Sequence, residues 1–454
     1  MILHLFLILW RLLWIPLLPL LLVYLWRRGR RDPDYTRHLA ERFGIYSRPL
    51  PKGAIWFHAV SLGETRSATA LIRLCLARGD QVVLTHFTPA GRRESARLFA
   101  PEIASGQLAA VWVPLDMFWC WRRFFRACRP RIGLPLEIEI WPAMIFAARR
   151  AGVPLFMCNA QYPSPSLARD SKGLRLRQRV IRGLAGAFVK SDLQKARFES
   201  IGLTNITVTG ELRFDQPLPP GLDAVAASFR HWLAPEGQII TIASGVEVEE
   251  PIYAHVISEM RDAARAKGLP PPLFIYVPRA PERFDAVYEG LVAEGLSVLR
   301  RSTALPPGVA GFTHPPAGHA LGDVDVFLAD SLGEMFFCLA PADRVVVGGG
   351  FNPRGAHNIS EALMLMKPVV TGPWTWTIEF PFEEAALAGV AVSLGDQTDP
   401  PSALADRLAA ALSQPDQTDP AQIRAFLDQQ QGASARTLAA IDRVLATGTA
   451  RQAG

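Results

Sequence analysis

The chain has 454 residues, 49% of them hydrophobic and 20% charged, with a formal net charge of +6. That is ample apolar material for two or three domains and excludes a disordered chain. The mild positive excess suits work beside anionic lipid or an anionic sugar nucleotide and is not by itself a nucleic-acid signature. Five cysteines, at Cys75, Cys120, Cys128, Cys158 and Cys338, form no CxxC pair. Their odd count and irregular spacing argue against a disulfide framework or a zinc site, and for a reducing compartment.

Residues 1–26 are nearly all apolar and are followed by Arg27, Arg28, Arg30 and Arg31. The run is long enough to cross a bilayer, and the basic cluster after it points to the cytoplasm. A cleaved signal peptide would carry its charge before the apolar run. Arg11 interrupts the run, and a charge at the bilayer centre costs a few kcal/mol. Spanning the membrane and lying in its interface therefore both stay open. Residues 1–31 are read as a membrane anchor.

The body alternates short apolar, β-branched runs with helical stretches. Strands are expected at 55–60, 82–86, 109–113, 132–136, 155–158, 187–189 and 206–209, with helices such as 64–77 and 90–99 between them. This order predicts a parallel sheet buried on both faces. A Pro-rich stretch at 216–221 breaks the pattern. A second series follows at 239–243, 274–277, 326–328, 345–347 and 369–371, and the Ala-rich part from 400 to 446 reads as helices. The expected organisation is an acceptor-side domain over 32–215, a linker over 216–235, and a nucleotide-binding domain over 236–446. Two doubly wound, Rossmann-like α/β domains with a ligand cleft between them is the GT-B arrangement.

Several motifs sit where such sheets place chemistry. In Ser61-Leu62-Gly63-Glu64 a strand ends and a helix begins, so Glu64 can be a general base or can simply complement the helix dipole. Glu137 and Glu139, spaced i and i+2 after the strand at 132–136, share one side if extended. They can orient an acceptor or form a salt-bridged loop. Gly210 allows close backbone approach, and Arg213 beyond it is either a phosphate contact or a surface arginine. Arg279 and Arg283 flank a Pro-fixed turn suited to phosphate or base recognition. The run Gly348-Gly349-Gly350 leads from a strand into a helix expected near Asn358 or Ile359. Its amides can approach an anion, and Glu361 can accept from a ribose diol.

Taken together, these segments resemble the 3-deoxy-D-manno-octulosonic acid (Kdo) transferases of lipopolysaccharide synthesis. The resemblance runs through Arg42-Phe43-Gly44, Ser61-Leu62-Gly63-Glu64, Glu137-Ile138-Glu139-Ile140-Trp141-Pro142 and Lys190-Ser191-Asp192. It continues through Val277-Pro278-Arg279, Asp330-Ser331-Leu332-Gly333-Glu334, Pro353-Arg354-Gly355 and His357-Asn358.

The resemblance implies an inverting, metal-independent glycosyltransferase at the cytoplasmic face of the inner membrane, needing no cofactor and no nucleic acid. It would move Kdo from CMP-Kdo onto a lipid A precursor. It casts Glu64 as the base, Glu137 and Glu139 as acceptor-side or supporting acids, and Arg213, standing where the family has a phosphate-facing lysine, as a donor-nucleotide contact. It casts Arg279, Gly333, Glu334, Met335, Gly348, Gly349, Asn358 and Glu361 as donor-nucleotide contacts. The acceptor half departs more from the family pattern than the nucleotide half: Gln161 stands where an arginine is usual, Ile138 replaces Thr and Ala143 replaces Asn. A paralogue using another acidic sugar or lipid, or a non-catalytic CMP-sugar-binding membrane protein, are the alternatives these departures raise.

Overall fold

The computed structural model describes residues 1–235, 237–306, 308, 312, 324–415 and 417–452. It divides into two compact units, Met1–Gln216 with the tail from Gln431, and Pro217–Gln430.

The first unit carries β1 (Ile55–His58), β2 (Val82–His86), β3 (Leu108–Trp112), β4 (Ile132–Pro135), β5 (Phe156–Ala160), β6 (Gly186–Val189) and β7 (Ile206–Val208). All pairings are parallel, in the order β3-β2-β1-β4 and β5-β6-β7. Parallel bridges from Gly133 to Leu155 and from Leu136 to Cys158 join the two groups. The strand order reverses at β1 and β4, the place where open α/β sheets bind ligands. Gly133 lets these strands close up, because a Cβ there would lie 2.6 Å from the Trp56 ring and 2.4 Å from Leu155.

The second unit carries β8 (Ile239–Gly245), β9 (Leu273–Pro278), β10 (Val298–Arg300), β11 (Val326–Leu328), β12 (Arg344–Val347), β13 (Val369–Thr371) and β14 (Ala391–Ser393). They form one parallel sheet in the order β10-β11-β9-β8-β12-β13-β14, reversing at β8 and β12.

The sequence reading differs from this fold in five places. The helix expected over 64–77 is two, Leu62–Ser67 and Thr69–Ala77. Thr65 Oγ1, Ser67 Oγ and Thr69 Oγ1 each donate to a carbonyl three or four residues earlier, a back-bonding that bends helices. Residues Leu222–Leu233, read as linker, are a helix whose Phe229 packs edge-on against Phe327. The helix Ala433–Gln452 belongs to the first unit instead of ending the second. Asp215 accepts from the Gly432 and Ser434 amides, and Arg436 Nε donates to the Thr209 carbonyl. The helix after the glycine run begins at Ser360 and has five residues. Strands β10 and β14 are not foreseen: they are the two edge strands of the sheet, only partly buried, and Val-Leu-Arg and Ala-Val-Ser carry less apolar signal than the inner strands.

Candidate functional site

At the carboxyl end of β1 the chain turns at Ser61, whose Oγ accepts from the Glu64 amide at 3.3 Å and caps the helix Leu62–Ser67. Glu64 folds back so that Oε2 accepts from the Val60 amide at 2.6 Å. This is close to a capping box, so the helix-terminal reading of Glu64 holds in part. The electrostatics add a second property. Glu64 is buried, and burial, followed by the charges of Glu137 and Glu139, pushes its carboxyl up to about 8 against the opposing Val60 hydrogen bond. A carboxyl held there has the basicity that proton abstraction near neutral pH needs.

The neighbouring acids come from the loop after β4. Glu137 takes a left-handed backbone, φ 56°, and its amide donates to the Cys158 carbonyl. Its Oε1 accepts from Arg213 Nη2 at 2.9 Å. Glu139 Oε2 accepts from Trp141 Nε1 at 2.5 Å, and burial raises its carboxyl above the ordinary range. Trp141 stands edge-on to His58, with ring centroids 5.1 Å apart. His58 is fully buried, and its imidazole is pushed down to about 3 by burial and then by His86. It is neutral at working pH.

Arg213 thus lies in the first unit, ion-paired to Glu137. Beneath it, Lys190 and Glu211 form a buried pair at 2.7 Å, with Asn159 Nδ2 donating to Glu211. Burial opposes ionisation of Glu211, yet Lys190 and then Arg213 hold it down to about 2. Gln161, standing where the resemblance expects arginine, accepts from Lys190 Nζ at 3.1 Å.

In the second unit the glycine run is spent on packing. A Cβ on Gly348 would sit 2.6 Å from the Ser244 carbonyl, and one on Gly350 would sit 2.2 Å from Thr371 Oγ1. Gly349 has φ 88°. The loop amides already serve an anion, and it is a side chain. Buried Glu249 accepts from the Gly349 and Phe351 amides at 2.7 and 2.8 Å, from Asn352 Nδ2 and from the Tyr253 hydroxyl. Sequence reasoning missed Glu249. Its signal was an acid in the Glu247–Glu250 run after β8, facing the loop after the adjacent β12.

The remaining donor-side candidates are spread over neighbouring strand ends. Arg279 follows β9, is exposed, and its amide donates to the Gly245 carbonyl. Its charge helps burial lower the His357 imidazole to about 4, which sets Arg279 beside the loop after β12. Asn358 Oδ1 accepts from the Ser360 amide, and Glu361 lies in the turn that follows. Arg283 is engaged by Glu250 and Glu247. Gly333 is exposed with φ 82°, and Met335 starts the helix Met335–Leu339. Glu334 is buried and held by Arg301 Nε and Nη2 at 2.8 and 3.0 Å. Its carboxylate thus ties the turn to Arg301.

The sequence profile described as 3-deoxy-D-manno-octulosonic-acid transferase matches residues 37–216, ending where the first unit's main segment ends. A 3-deoxy-D-manno-octulosonic acid transferase of Bordetella pertussis is 37% identical over 386 residues, covering 84% of this chain and 86% of that protein. The chain belongs to the 3-deoxy-D-manno-octulosonic acid transferase family. The relative from Haemophilus influenzae is 28% identical over 378 residues, covering 81% of this chain and 83% of its own length. Membership makes this chain a glycosyltransferase. Among solved structures, a UDP-GlcNAc 2-epimerase from Methanocaldococcus jannaschii superposes with a TM-score of 0.52 at 11% identity, covering 86% of this chain and 99% of that one. At that identity the likeness speaks to the fold of two parallel-sheet units alone.

Proposed function

We propose that the chain transfers Kdo from CMP-Kdo to a lipid A precursor, with Glu64 as the base. The observation that carries this is the buried Glu64 carboxyl at the sheet reversal, raised to about 8 beside Glu137 and Glu139, in a chain 37% identical to a Kdo transferase. Glu64 takes the proton of an acceptor hydroxyl as that oxygen attacks the anomeric carbon. CMP leaves with inversion, and the proton passes to solvent. Glu137 and Glu139 keep Glu64 protonatable near neutral pH and face the acceptor. Arg213 balances Glu137 on that side.

The donor nucleotide is assigned to the carboxyl edge of the second sheet. Arg279, Gly333, Met335, Asn358 and Glu361 are its proposed contacts, and Gly348, Gly349 and Glu334 shape the turns that present them. The apolar helix Ile2–Gly29 holds the enzyme at the cytoplasmic face of the inner membrane.

A second reading, transfer of a related acidic sugar or to another lipid, is favoured by Gln161, which replaces a cation and is occupied by Lys190. Mass spectrometry of lipid products after incubating the full-length, membrane-reconstituted chain with CMP-Kdo and lipid A precursor separates the two. Lipid A precursor extended by Kdo is expected. An unmodified acceptor beside intact CMP-Kdo moves the assignment to the second reading.

A further inference from the structure

The apolar helix Ile2–Gly29 is not free of the folded domain. Leu3, Phe6 and Trp10 pack against the main core of the first unit, and Trp14, Leu18 and Leu21 against a satellite of Leu115, Met117 and Cys120. Leu25, near the other end, is only 2% exposed. Spacings of three and four place these residues on one stripe running the length of the helix. A hydrogen bond fixes its middle: Trp10 Nε1 donates to Asp116 Oδ2 at 3.0 Å. Asp116 is buried and also accepts from Trp121 Nε1 and from the amides of Ala143 and Met144. A helix crossing the bilayer along its normal would have to peel this stripe off the domain and leave Asp116 short of a donor.

The opposite stripe, with Leu5, Leu9, Leu12, Leu20 and Val23, is exposed and wholly apolar. Between the stripes lies a flank carrying Arg11 and Ile15. There a cavity of about 1110 Å³ opens between this helix and the helix Phe118–Cys128. Its walls hold Arg11, Arg122, Arg126, Arg129 and Arg150 over a floor that includes Trp14, Leu18 and Phe125. Arg11 lies 4.1 Å over the Phe118 ring, and none of the five forms an ion pair among the described residues. Five guanidinium groups above an apolar floor, with the one acid of the lining, Asp116, buried and engaged by Trp10, Trp121 and two amides, beside an exposed apolar ridge, match one kind of partner: a leaflet whose lipids carry phosphate heads and acyl tails.

We infer that the helix Ile2–Gly29 lies in the plane of the membrane, ridge in the acyl layer, and that the arginine-lined groove beside it seats the phosphate and upper chain of an anionic lipid. This rests on the membrane placement proposed above but not on the sugar chemistry.

Two measurements on the full chain test it, and neither uses the sugar donor. The five native cysteines are buried, so Ile2→Cys and Arg30→Cys can be probed singly with a membrane-impermeant maleimide. Both should label in inverted membrane vesicles and neither in spheroplasts. Labelling from opposite sides would establish a spanning helix and overturn the in-plane placement. In flotation with phosphatidylcholine vesicles containing or lacking phosphatidylglycerol, the wild type should prefer the anionic vesicles. Arg122→Gln with Arg126→Gln should lose on the order of 30-fold of that binding, at about 1 kcal/mol per basic residue. Equal binding to both vesicle types, or a double variant that floats like wild type, would refute the lipid-phosphate seat.

Discussion

Arg213 Nη2 donates to Glu137 Oε1 at 2.9 Å, joining residues 76 positions apart. The pair neutralises one of the three acids at the sheet reversal and leaves Glu64 with no ion pair among the described residues. The basicity of Glu64 is therefore set by burial and by how much negative charge its neighbours retain.

That arrangement fixes a pH dependence. Glu64 must be ionised to accept a proton, so kcat/KM should rise with pH through a limb near the carboxyl's value of about 8. Glu137→Gln removes a negative neighbour while Arg213 stays, so the limb should move to lower pH. Arg213→Ala uncovers Glu137 and should move it higher, and Arg213→Lys should largely restore it. A pH–rate profile for each variant gives the check, and limbs that coincide in all four proteins would remove these neighbours from the account.

Stability carries the same shift with a definite sign. The carboxyl sits near 8 in the folded chain against an ordinary 4.5. The folded state therefore holds a proton that the unfolded chain releases between those values. Ionisation inside the fold costs stability as pH rises through that window, and below 4.5 the cost vanishes. Glu64→Gln, which cannot ionise, should resist urea better than wild type at pH 9, by roughly a few kcal/mol at 1.36 per pKa unit. At pH 5 the advantage should be small. Unfolding curves at the two pH values, followed in the first unit by tryptophan fluorescence, measure it.

Glu249 predicts a different behaviour. Replacing it with Ala leaves the Gly349 and Phe351 amides, Asn352 Nδ2 and the Tyr253 hydroxyl without their acceptor. Losing a buried charged partner costs about 3–5 kcal/mol. The expected result is a second unit that melts early and binds CMP weakly, while the first unit's transition stays put. Calorimetry with and without CMP reads both, and an unchanged second-unit transition would show that the glycine loop holds itself.

Much of this was legible in the residues, and the exceptions have physical causes. Twelve of the strands announce themselves as apolar, β-branched runs between turn residues, whereas Val298–Arg300 and Ala391–Ser393 are partly exposed edge strands that end in Arg and Ser. Glu64, Glu137 and Glu139 were identifiable because a strand end followed by an acid is a local pattern. The partners of Arg213 and Glu334 were not. Arg213 meets Glu137 and Glu334 meets Arg301 across 76 and 33 residues, contacts that only the sheet order creates. The glycine run illustrates the same limit. Its composition signals close backbone approach, and the groups that approach it are Ser244, Thr371 and the Glu249 carboxylate, all distant in sequence.

The most direct test is Glu64→Gln in the full chain, assayed by single-turnover transfer from CMP-Kdo to lipid A precursor and, in parallel, by CMP binding. Transfer should fall by a factor of about 100 or more with CMP affinity within about two-fold of wild type, a change of roughly 0.4 kcal/mol. Transfer at close to the wild-type rate would contradict the assignment of Glu64 as the base.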